Sequence, residues 1–325
     1  MNPTRRQVLR GLAGAALAPG LLSSTAVRSN AQQVDPSPII DTHQHLWDPE
    51  QFRILWMADA PAILRRKYGP KEYAEATAGL NIQSIYMEVD VDPTQHPLEA
   101  EYVIGLCRDK VGATRAAVIG ARPAAPEFAE YIKRFAASGL VRGVRQLLQP
   151  MPRGACLRDD FVGGIRLLGS LGLCFDLCMR PTELADGVKL SELAPDTRFV
   201  LDHCGNADPA AFVPRAYDRK PSHDADAWKR DIDALAKRPN VLCKISGIVG
   251  GAPEKWTPEH LAPIVNHCLD AFGPDKVLFG GDWPVCLKRA PLRQWIDALE
   301  TIVAPRPVDE RRKLWAENAR KFYMV

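Results

Sequence analysis

The chain has 325 residues, of which 46% are hydrophobic and 25% are charged, and its formal net charge is +3. The length suits one large barrel or two modest domains, and the composition is that of an ordinary globular protein. The nearly balanced charge excludes a polyanion-binding protein, so no nucleic-acid partner is expected. The basic cluster 65–67 is interpreted as a solvated surface or a loop over a site.

Residues 1–31 are predicted to be a twin-arginine export signal. Arg5 and Arg6 precede a short apolar run, 11–22, and a small-residue cleavage site follows at 29–31. The run is too short to anchor the chain in a membrane, and a proline and a glycine interrupt it. We therefore expect the twin-arginine export machinery as a partner, a periplasmic or secreted mature protein, and no stable membrane insertion after cleavage.

Eight cysteines are scattered through apolar segments of the chain. A protein exported by the twin-arginine route folds first in a reducing compartment, which argues against a disulfide framework. Cysteines in apolar segments are typical of buried thiols. We therefore expect mostly free, buried cysteines.

Residues 36–325 are predicted to form a single domain, a (β/α)8 TIM barrel of the α/β class. The first of eight short apolar or β-branched runs begins at Ile39, and the others are 84–89, 116–120, 141–148, 173–178, 198–203, 241–246 and 277–281. Helical periodicity separates them, as in 126–135 and 228–236. Runs that are apolar on both faces fit a closed parallel barrel. A doubly wound sheet is the alternative, but no Gly-x-Gly-x-x-Gly follows the first run.

Two histidines stand at the end of the first run, within the segment 39–49. In an extended chain the side chains of Asp41, His43 and His45 point to one face. Imidazole binds divalent metals and also donates hydrogen bonds. The pair therefore indicates a metal site or a group that polarises a carbonyl, and the alternative is two partly solvated strand-end histidines.

Charged or imidazole groups also end the later runs, namely Glu88, Arg145, Asp176, Asp202, His203, Lys244 and Asp282. The carboxyl ends of the strands carry the active site in a TIM barrel. Burying such groups without partners costs about several kcal/mol each, so their joint presence favours a functional site. A His-x-His pair with a distant histidine and aspartate is a ligand set for one divalent metal, or equally a carbonyl-polarising cluster with a general base.

The longest insertion, 46–81, follows the first run and carries five aromatic residues, Trp47 among them. An aromatic segment in this place is typical of a lid or a wall over the site. The alternative is that it packs over one end of the barrel. Trp47 is included among the predicted substrate-binding residues.

These motifs resemble the amidohydrolase superfamily, and the resemblance is carried by 40–49, 201–205, 243–247 and 279–284. Within the superfamily the chain is similar to the branch of sugar-acid lactonases and of pyrone and muconolactone hydrolases. The resemblance implies one Zn²⁺ or another divalent metal, or operation without a metal. A binuclear centre is not implied, because Arg145 and Asp176 stand where many members carry a lysine or glutamate and a histidine.

The resemblance further implies that the reacting carbonyl is surrounded by the catalytic residues, which are also the ligands of any bound metal: His43, His45, His203 and Asp282. We hypothesise that Asp282 acts as a general base on water in the hydrolysis of a small-molecule lactone or related carboxylate substrate. Arg145 and Lys244 are expected to bind a substrate carboxylate or stabilise the oxyanion, and Glu88 and Asp176 to bind hydroxyl groups.

Two other functions remain open from the sequence. One is a metal-dependent decarboxylase or amide hydrolase, because the same scaffold hosts several chemistries. The other is a non-catalytic periplasmic protein that binds sugar acids. Retention of both the His-x-His pair and Asp282 argues against a binding protein.

Overall fold

The computed structural model describes residues 38–325, which form a sheet of eight parallel strands rolled into a barrel. The strands pair in chain order, and their bounds are β1 Ile39–Gln44, β2 Ile82–Met87, β3 Thr114–Gly120, β4 Val141–Arg145, β5 Cys174–Leu177, β6 Arg198–Leu201, β7 Val241–Ile245 and β8 Val277–Phe279. The chain after β8 meets the end of β1, where the His45 amide donates to the Trp283 carbonyl at 2.8 Å. The predicted (β/α)8 barrel is confirmed. The predicted export signal lies outside the described residues.

Helices alternate with the strands and cover the outside of the barrel. The α-helices are Pro70–Ala76, His96–Arg108, Phe128–Ala136, Asp159–Ser170, Leu184–Leu193, Ala225–Ala236, Pro258–Phe272, Leu292–Val303, Val308–Arg312 and Asn318–Tyr323, and a π-helical turn spans Lys313–Glu317. In Leu292–Val303 the buried residues recur at helical spacing, which gives the helix one apolar face toward the barrel. None of the helices within 38–325 is long and apolar enough to cross a membrane.

The C-terminal helix closes the amino-terminal end of the barrel. Ala319, Phe322 and Tyr323 pack with an apolar cluster contributed by the strands: Ile40, Ile85, Met87, Ala116, Val118, Cys174, Val200 and Leu278. Arg198 donates to the Phe322 carbonyl at 2.8 Å and lies over its ring. Since this end is filled by side chains, a site can open only at the carboxyl ends of the strands.

Strand β1 is irregular where the histidines begin. Its pairing with β2 shifts between Asp41 and Gln44. Asp41 accepts hydrogen bonds from the Tyr73 hydroxyl at 2.8 Å and the Gly281 amide at 2.7 Å, and so ties β1 to the insertion and to the segment after β8. His43 lies in the barrel interior instead. The regular alternation predicted for Asp41 and His43 is interrupted by this shift.

All eight cysteines are free and buried, which confirms the prediction for them. Three of these thiols, those of Cys204, Cys243 and Cys268, lie within 4.8 Å of one another between the barrel and the helix Pro258–Phe272. They fill space in the layer between strand and helix as small apolar groups do.

A carboxyl group of the helix His96–Arg108 is buried against β2. Glu99 has no exposure to solvent, and its Oε1 accepts hydrogen bonds from the Tyr86 hydroxyl and the Val89 amide, both at 2.8 Å. Burial, assisted by the nearby charge of Glu88, raises the pKa of Glu99 to about 8. The group is therefore protonated in the folded chain at neutral and lower pH.

We expect Glu99→Gln to flatten the pH dependence of stability. An acid with a higher pKa in the folded chain stabilises it fully below the ordinary pKa of 4.5, and this contribution is lost as the pH rises through about 8. Between pH 5 and pH 8.5, the wild type should lose about 1 to 3 kcal/mol of unfolding free energy relative to the variant. Urea unfolding at both pH values measures this difference. The exposed control Glu130→Gln should follow the wild type, and equal pH dependence in wild type and Glu99→Gln would contradict the assignment.

Candidate active site

A cavity of about 400 Å³ opens at the carboxyl ends of the strands. Five of the predicted site residues line it: His45, Trp47, Arg145, His203 and Asp282. The other four lie beneath it in the barrel interior: His43, Glu88, Asp176 and Lys244. The three histidines are close together, with ring centroids of His43 and His203 4.4 Å apart and those of His43 and His45 4.9 Å apart.

His43 is completely buried and uncharged. Its Nε2 lies 3.2 Å from Nη1 of Arg145, and its Nδ1 lies 3.4 Å from Oδ1 of Asp202. A guanidinium can only donate, so Nε2 is the acceptor and the ring proton resides on Nδ1, facing the carboxylate. Burial lowers the pKa of His43 well below its usual range, against the opposing charge of Asp202.

The tautomer of His45 is set by a backbone carbonyl, and its Nε2 is not a hydrogen-bond donor in the neutral ring. Its Nδ1 lies 2.9 Å from the Met87 carbonyl, which can only accept, so Nδ1 carries the proton. The lone pair of Nε2 then faces the cavity, 3.6 Å from Oδ1 of Asp282. Two acceptors at this distance leave a place for a proton or a cation between them.

His203 begins a left-handed turn that follows β6. Four successive residues, 203–206, have φ between 51° and 66°, although only Gly205 is a glycine. Such a conformation costs about 1 to 2 kcal/mol per non-glycine residue. The turn carries both His203 and Asn206 to the cavity wall. Burial lowers the pKa of His203, so its ring is neutral near pH 7.

The ring of His203 is fixed by the segment after β7. Its Nδ1 lies 3.0 Å from the Ser246 hydroxyl. Gly247 has φ of 69°, and a Cβ placed on it would lie 2.2 Å from His203 Nδ1. Only a glycine therefore leaves room for the ring in this orientation.

Asp282 directly follows two glycines, Gly280 and Gly281, which pass close to neighbouring groups. A Cβ on Gly280 would lie 2.9 Å from Cβ of His43, and one on Gly281 would lie 2.5 Å from Oδ2 of Asp41. Asp282 is 4% exposed. Burial alone would raise the pKa of Asp282, but the surrounding histidines, His203 first, outweigh it and place the pKa below its usual range. The carboxylate is therefore ionised near neutral pH.

A network of paired charges lies beneath the cavity. The Lys244 ammonium forms an ion pair with Asp176 and lies 3.2 Å from Oδ1 of Asp202, all three side chains being fully buried. Burial disfavours the ammonium, but the two aspartates outweigh it and raise the pKa of Lys244. Arg145 donates to Glu88 twice, from Nε to Oε1 at 2.6 Å and from Nη2 to the carbonyl at 2.7 Å.

Three residues that were predicted to bind the substrate lie below the cavity and do not line it. Lys244, Asp176 and Glu88 do not line the cavity, because their charges are paired with one another and with Arg145 inside the barrel. Arg145 borders the cavity, but all three guanidinium nitrogens already donate to Glu88 or His43. These groups hold the histidines in place from below.

Several cavity-lining residues were not predicted from the sequence: Asp59, Asp90, Gln149, Asn206 and Lys288. Asp90 directly follows the end of the second run, so its position is the one a strand-end rule could have found. Lys288 belongs to a short 3-10 helix, Val285–Lys288, beyond the last strand, where no periodic pattern marks it. Trp47 and Trp56 confirm that the insertion forms a wall of the cavity.

The donors at the base of the cavity fit a single divalent ion. Ligand atoms of His43, His203 and Asp282 lie within 4.8 Å of one another, and His45 Nε2 is close to the same carboxylate. Imidazole nitrogens with a carboxylate oxygen are the ligands of catalytic zinc sites. An ion on His43 would compete with Arg145 for the lone pair of Nε2.

Known proteins share this architecture and much of the sequence. The amidohydrolase family model matches residues 40–325. L-fucono-1,5-lactonase of Burkholderia multivorans is 29% identical over 297 residues, which cover 88% of this chain and 96% of that protein. An amidohydrolase from Burkholderia multivorans, solved with bound zinc, superposes with a TM-score of 0.76 at 26% identity and covers 88% of this chain and 99% of its own.

A more distant structure shows the same fold alone. The probable 2-pyrone-4,6-dicarboxylic acid hydrolase from Acinetobacter baumannii has a TM-score of 0.70 at 16% identity, over 88% of this chain and 99% of its own. The resemblance found in the strand-end motifs is confirmed by the family match, which extends from β1 to the last residue. This chain belongs to the amidohydrolase family, whose members are typically dependent on divalent metals.

Proposed function

We propose that this protein is a hydrolase that opens a lactone ring. The observation that carries the proposal is an ionised carboxylate at the base of the cavity, Asp282, with His45 Nε2 at 3.6 Å and His43 Nε2 at 3.9 Å. A general base beside a carbonyl-polarising group is what ester hydrolysis requires. The similarity to L-fucono-1,5-lactonase of Burkholderia multivorans supports a lactone as the substrate class.

In the proposed reaction, Asp282 takes a proton from a water molecule, whose oxygen attacks the ring carbonyl carbon. The carbonyl oxygen becomes negative in the tetrahedral intermediate, and the bond from this carbon to the ring oxygen then breaks. Asp282 returns its proton to the departing ring oxygen, which gives a hydroxy acid. The acid ionises near neutral pH, so each turnover releases one proton.

The histidines differ in what they can offer the carbonyl oxygen. As a neutral ring, His45 carries its proton on Nδ1 and cannot donate from Nε2. His203 can donate from Nε2 when the Ser246 hydroxyl donates to its Nδ1. His203 is therefore the oxyanion donor among the protein's own groups. A divalent ion held by His43, His45, His203 and Asp282 would supply Lewis-acid polarisation of the same carbonyl.

An aromatic wall shapes the cavity on the side of the insertion. Trp47 donates from its indole nitrogen to the Arg66 carbonyl and Trp56 to the Val89 carbonyl, both at 2.8 Å. The rings stand edge to face with centroids 5.3 Å apart. Rings held in this way provide a rigid apolar surface for the carbon skeleton of a lactone.

We also propose that hydrolysis takes place in the periplasm or outside the cell. This rests on the predicted twin-arginine signal in residues 1–31, which lie outside the described residues. A disulfide-free fluorescent protein that folds in the cytoplasm, fused after the signal, with the two arginines replaced by lysines as control, tests the export route. Export that survives the replacement would refute it.

We expect Asp282→Asn to abolish turnover, because the amide cannot accept the proton of the attacking water. The reduction in kcat should be about 10³-fold or more, with the fold and ligand binding largely kept. Proton release from a panel of aldonolactones and muconolactone-type compounds measures the rate. Retained activity would disprove the role of Asp282, and a wild-type enzyme that opens none of the lactones would disprove the function.

We expect Gly247→Ala to lower kcat/KM by about 100-fold or more, since the added methyl would occupy the place of His203 Nδ1. Backbone strain should also lower the free energy of unfolding by about 1 to 2 kcal/mol. Gly163→Ala is the matched control, because a Cβ at Gly163 meets nothing within 4 Å. Wild-type rates in Gly247→Ala would show that the position of His203 is not needed.

We expect one zinc ion per chain to bind at the base of the cavity. Protein stripped with a chelator should take up about one equivalent on titration, and His203→Ala should weaken the affinity by about 10-fold or more. Elemental analysis after gel filtration gives the ratio. Uptake of a second equivalent that also depends on His203 would contradict a single centre.

A further inference from the structure

The catalytic cavity adjoins a second cavity of about 360 Å³, here called the polar arm. The two share four lining residues, His203, Asn206, Gly247 and Lys288. The remaining wall of the polar arm comes from the segments after β6 and β7: Ala207, Asp208, Pro209, Arg219, Ser222, Ile248, Gly250 and Gly251. A substituent of a lactone bound at His203 can therefore extend into this second space.

The charges that border the polar arm do not all cancel. Arg219 pairs with Asp208 through two hydrogen bonds of 2.6 and 2.7 Å, which leaves that pair neutral. Lys288 forms no ion pair or hydrogen bond with any residue in 38–325. Asp59, which also forms no ion pair with a residue in 38–325, borders the catalytic cavity and not the polar arm. The polar arm therefore carries one uncompensated positive charge.

The position of Lys288 is set by two neighbouring segments. Its helix, Val285–Lys288, follows Asp282, and the Cys286 amide donates to the Asp282 carbonyl at 2.8 Å. On the other side, a Cβ placed on Gly250 would lie 3.4 Å from Cε and 3.6 Å from Nζ of Lys288. The ammonium thus lies next to the backbone of Gly250, and Lys288 lines both cavities.

Neither cation proposed from the sequence for a substrate carboxylate is free to bind one. Lys244 is enclosed between two aspartates, and the guanidinium of Arg145 is engaged on all three nitrogens. Lys288 has an unpaired ammonium group and lines the same two cavities as His203. Lys288 is exposed to solvent, and a lysine ammonium can bind a carboxylate from many directions in such a position.

We propose that the polar arm binds an anionic substituent of the lactone, a carboxylate, with Lys288 as its counter-ion and the residue that determines specificity. This inference rests on the proposed lactone hydrolysis and names its substrate class. The preferred substrate is then the monolactone of a dicarboxylic sugar acid, or a similar acidic lactone. The carboxylate remote from the ring occupies the polar arm while the ring carbonyl lies at His203 and Asp282.

The test compares a sugar-diacid monolactone with the aldonolactone that carries a hydroxymethyl group in place of the carboxylate. The wild type should prefer the acidic lactone. Lys288→Met should lower kcat/KM for it by about tenfold or more through KM, and leave the neutral lactone within about twofold. Lys288→Arg should keep the preference, and the exposed helix residue Lys133→Met should behave as wild type.

Equal losses on both lactones, or none on either, in Lys288→Met would overturn the inference and leave lactone hydrolysis intact. If the wild type opens neither these two lactones nor any other compound of the panel above, the proposed function fails instead. Equilibrium binding of the acidic lactone to wild type and to Lys288→Met, measured by calorimetry, then decides the role of the polar arm. Weaker binding by about tenfold in the variant supports it, and equal affinity refutes it.

Discussion

A lysine with no access to water, Lys244, lies between Asp176 and Asp202 in the middle of the barrel, and the geometry above depends on this buried arrangement. An ammonium in such a place is tolerated only when carboxylates surround it, because desolvation costs about several kcal/mol per ion. Asp202 in turn faces Nδ1 of His43 at 3.4 Å and Nη1 of Arg145 at 3.5 Å. Removing any one of these charged side chains would leave an uncompensated charge. The positions of the histidines therefore depend on a set of groups that act together.

The charged residues at the strand ends form two layers with different roles, one beneath the cavity and one lining it. The lower charges cancel within the barrel and orient the rings. In residues 38–325, Asp282 has only histidines as ion-pair partners and Lys288 has no ion-pair partner. An ionised base with a lowered pKa and a cation at the rim produce a field across the cavity. The proposed substrate, which has a polarised carbonyl and an acidic substituent, matches that field.

The sequence was sufficient for the barrel and for the central group of side chains. Eight apolar runs and strand-end polarity bring His45, His203 and Asp282 to one cavity, because parallel strands end on the same side. The sequence was not sufficient to place Lys244 and Asp176. A charged residue at a strand end can face the cavity or pair with a charge two strands away, and the sequence does not distinguish the two. The shift in β1 also escapes a rule of alternation. Lys288 escaped because short helices in loops have no period to detect.

The fit between Gly247 and the ring of His203 has a consequence for how this site can change. A side chain at 247 excludes the ring of His203, so the glycine is needed for as long as the histidine keeps this orientation. The two positions are therefore epistatic, and neither can be varied alone without loss. A library that randomises the cavity one codon at a time would recover the parent at both sites, and new chemistry on this scaffold would need the pair to be exchanged in one step.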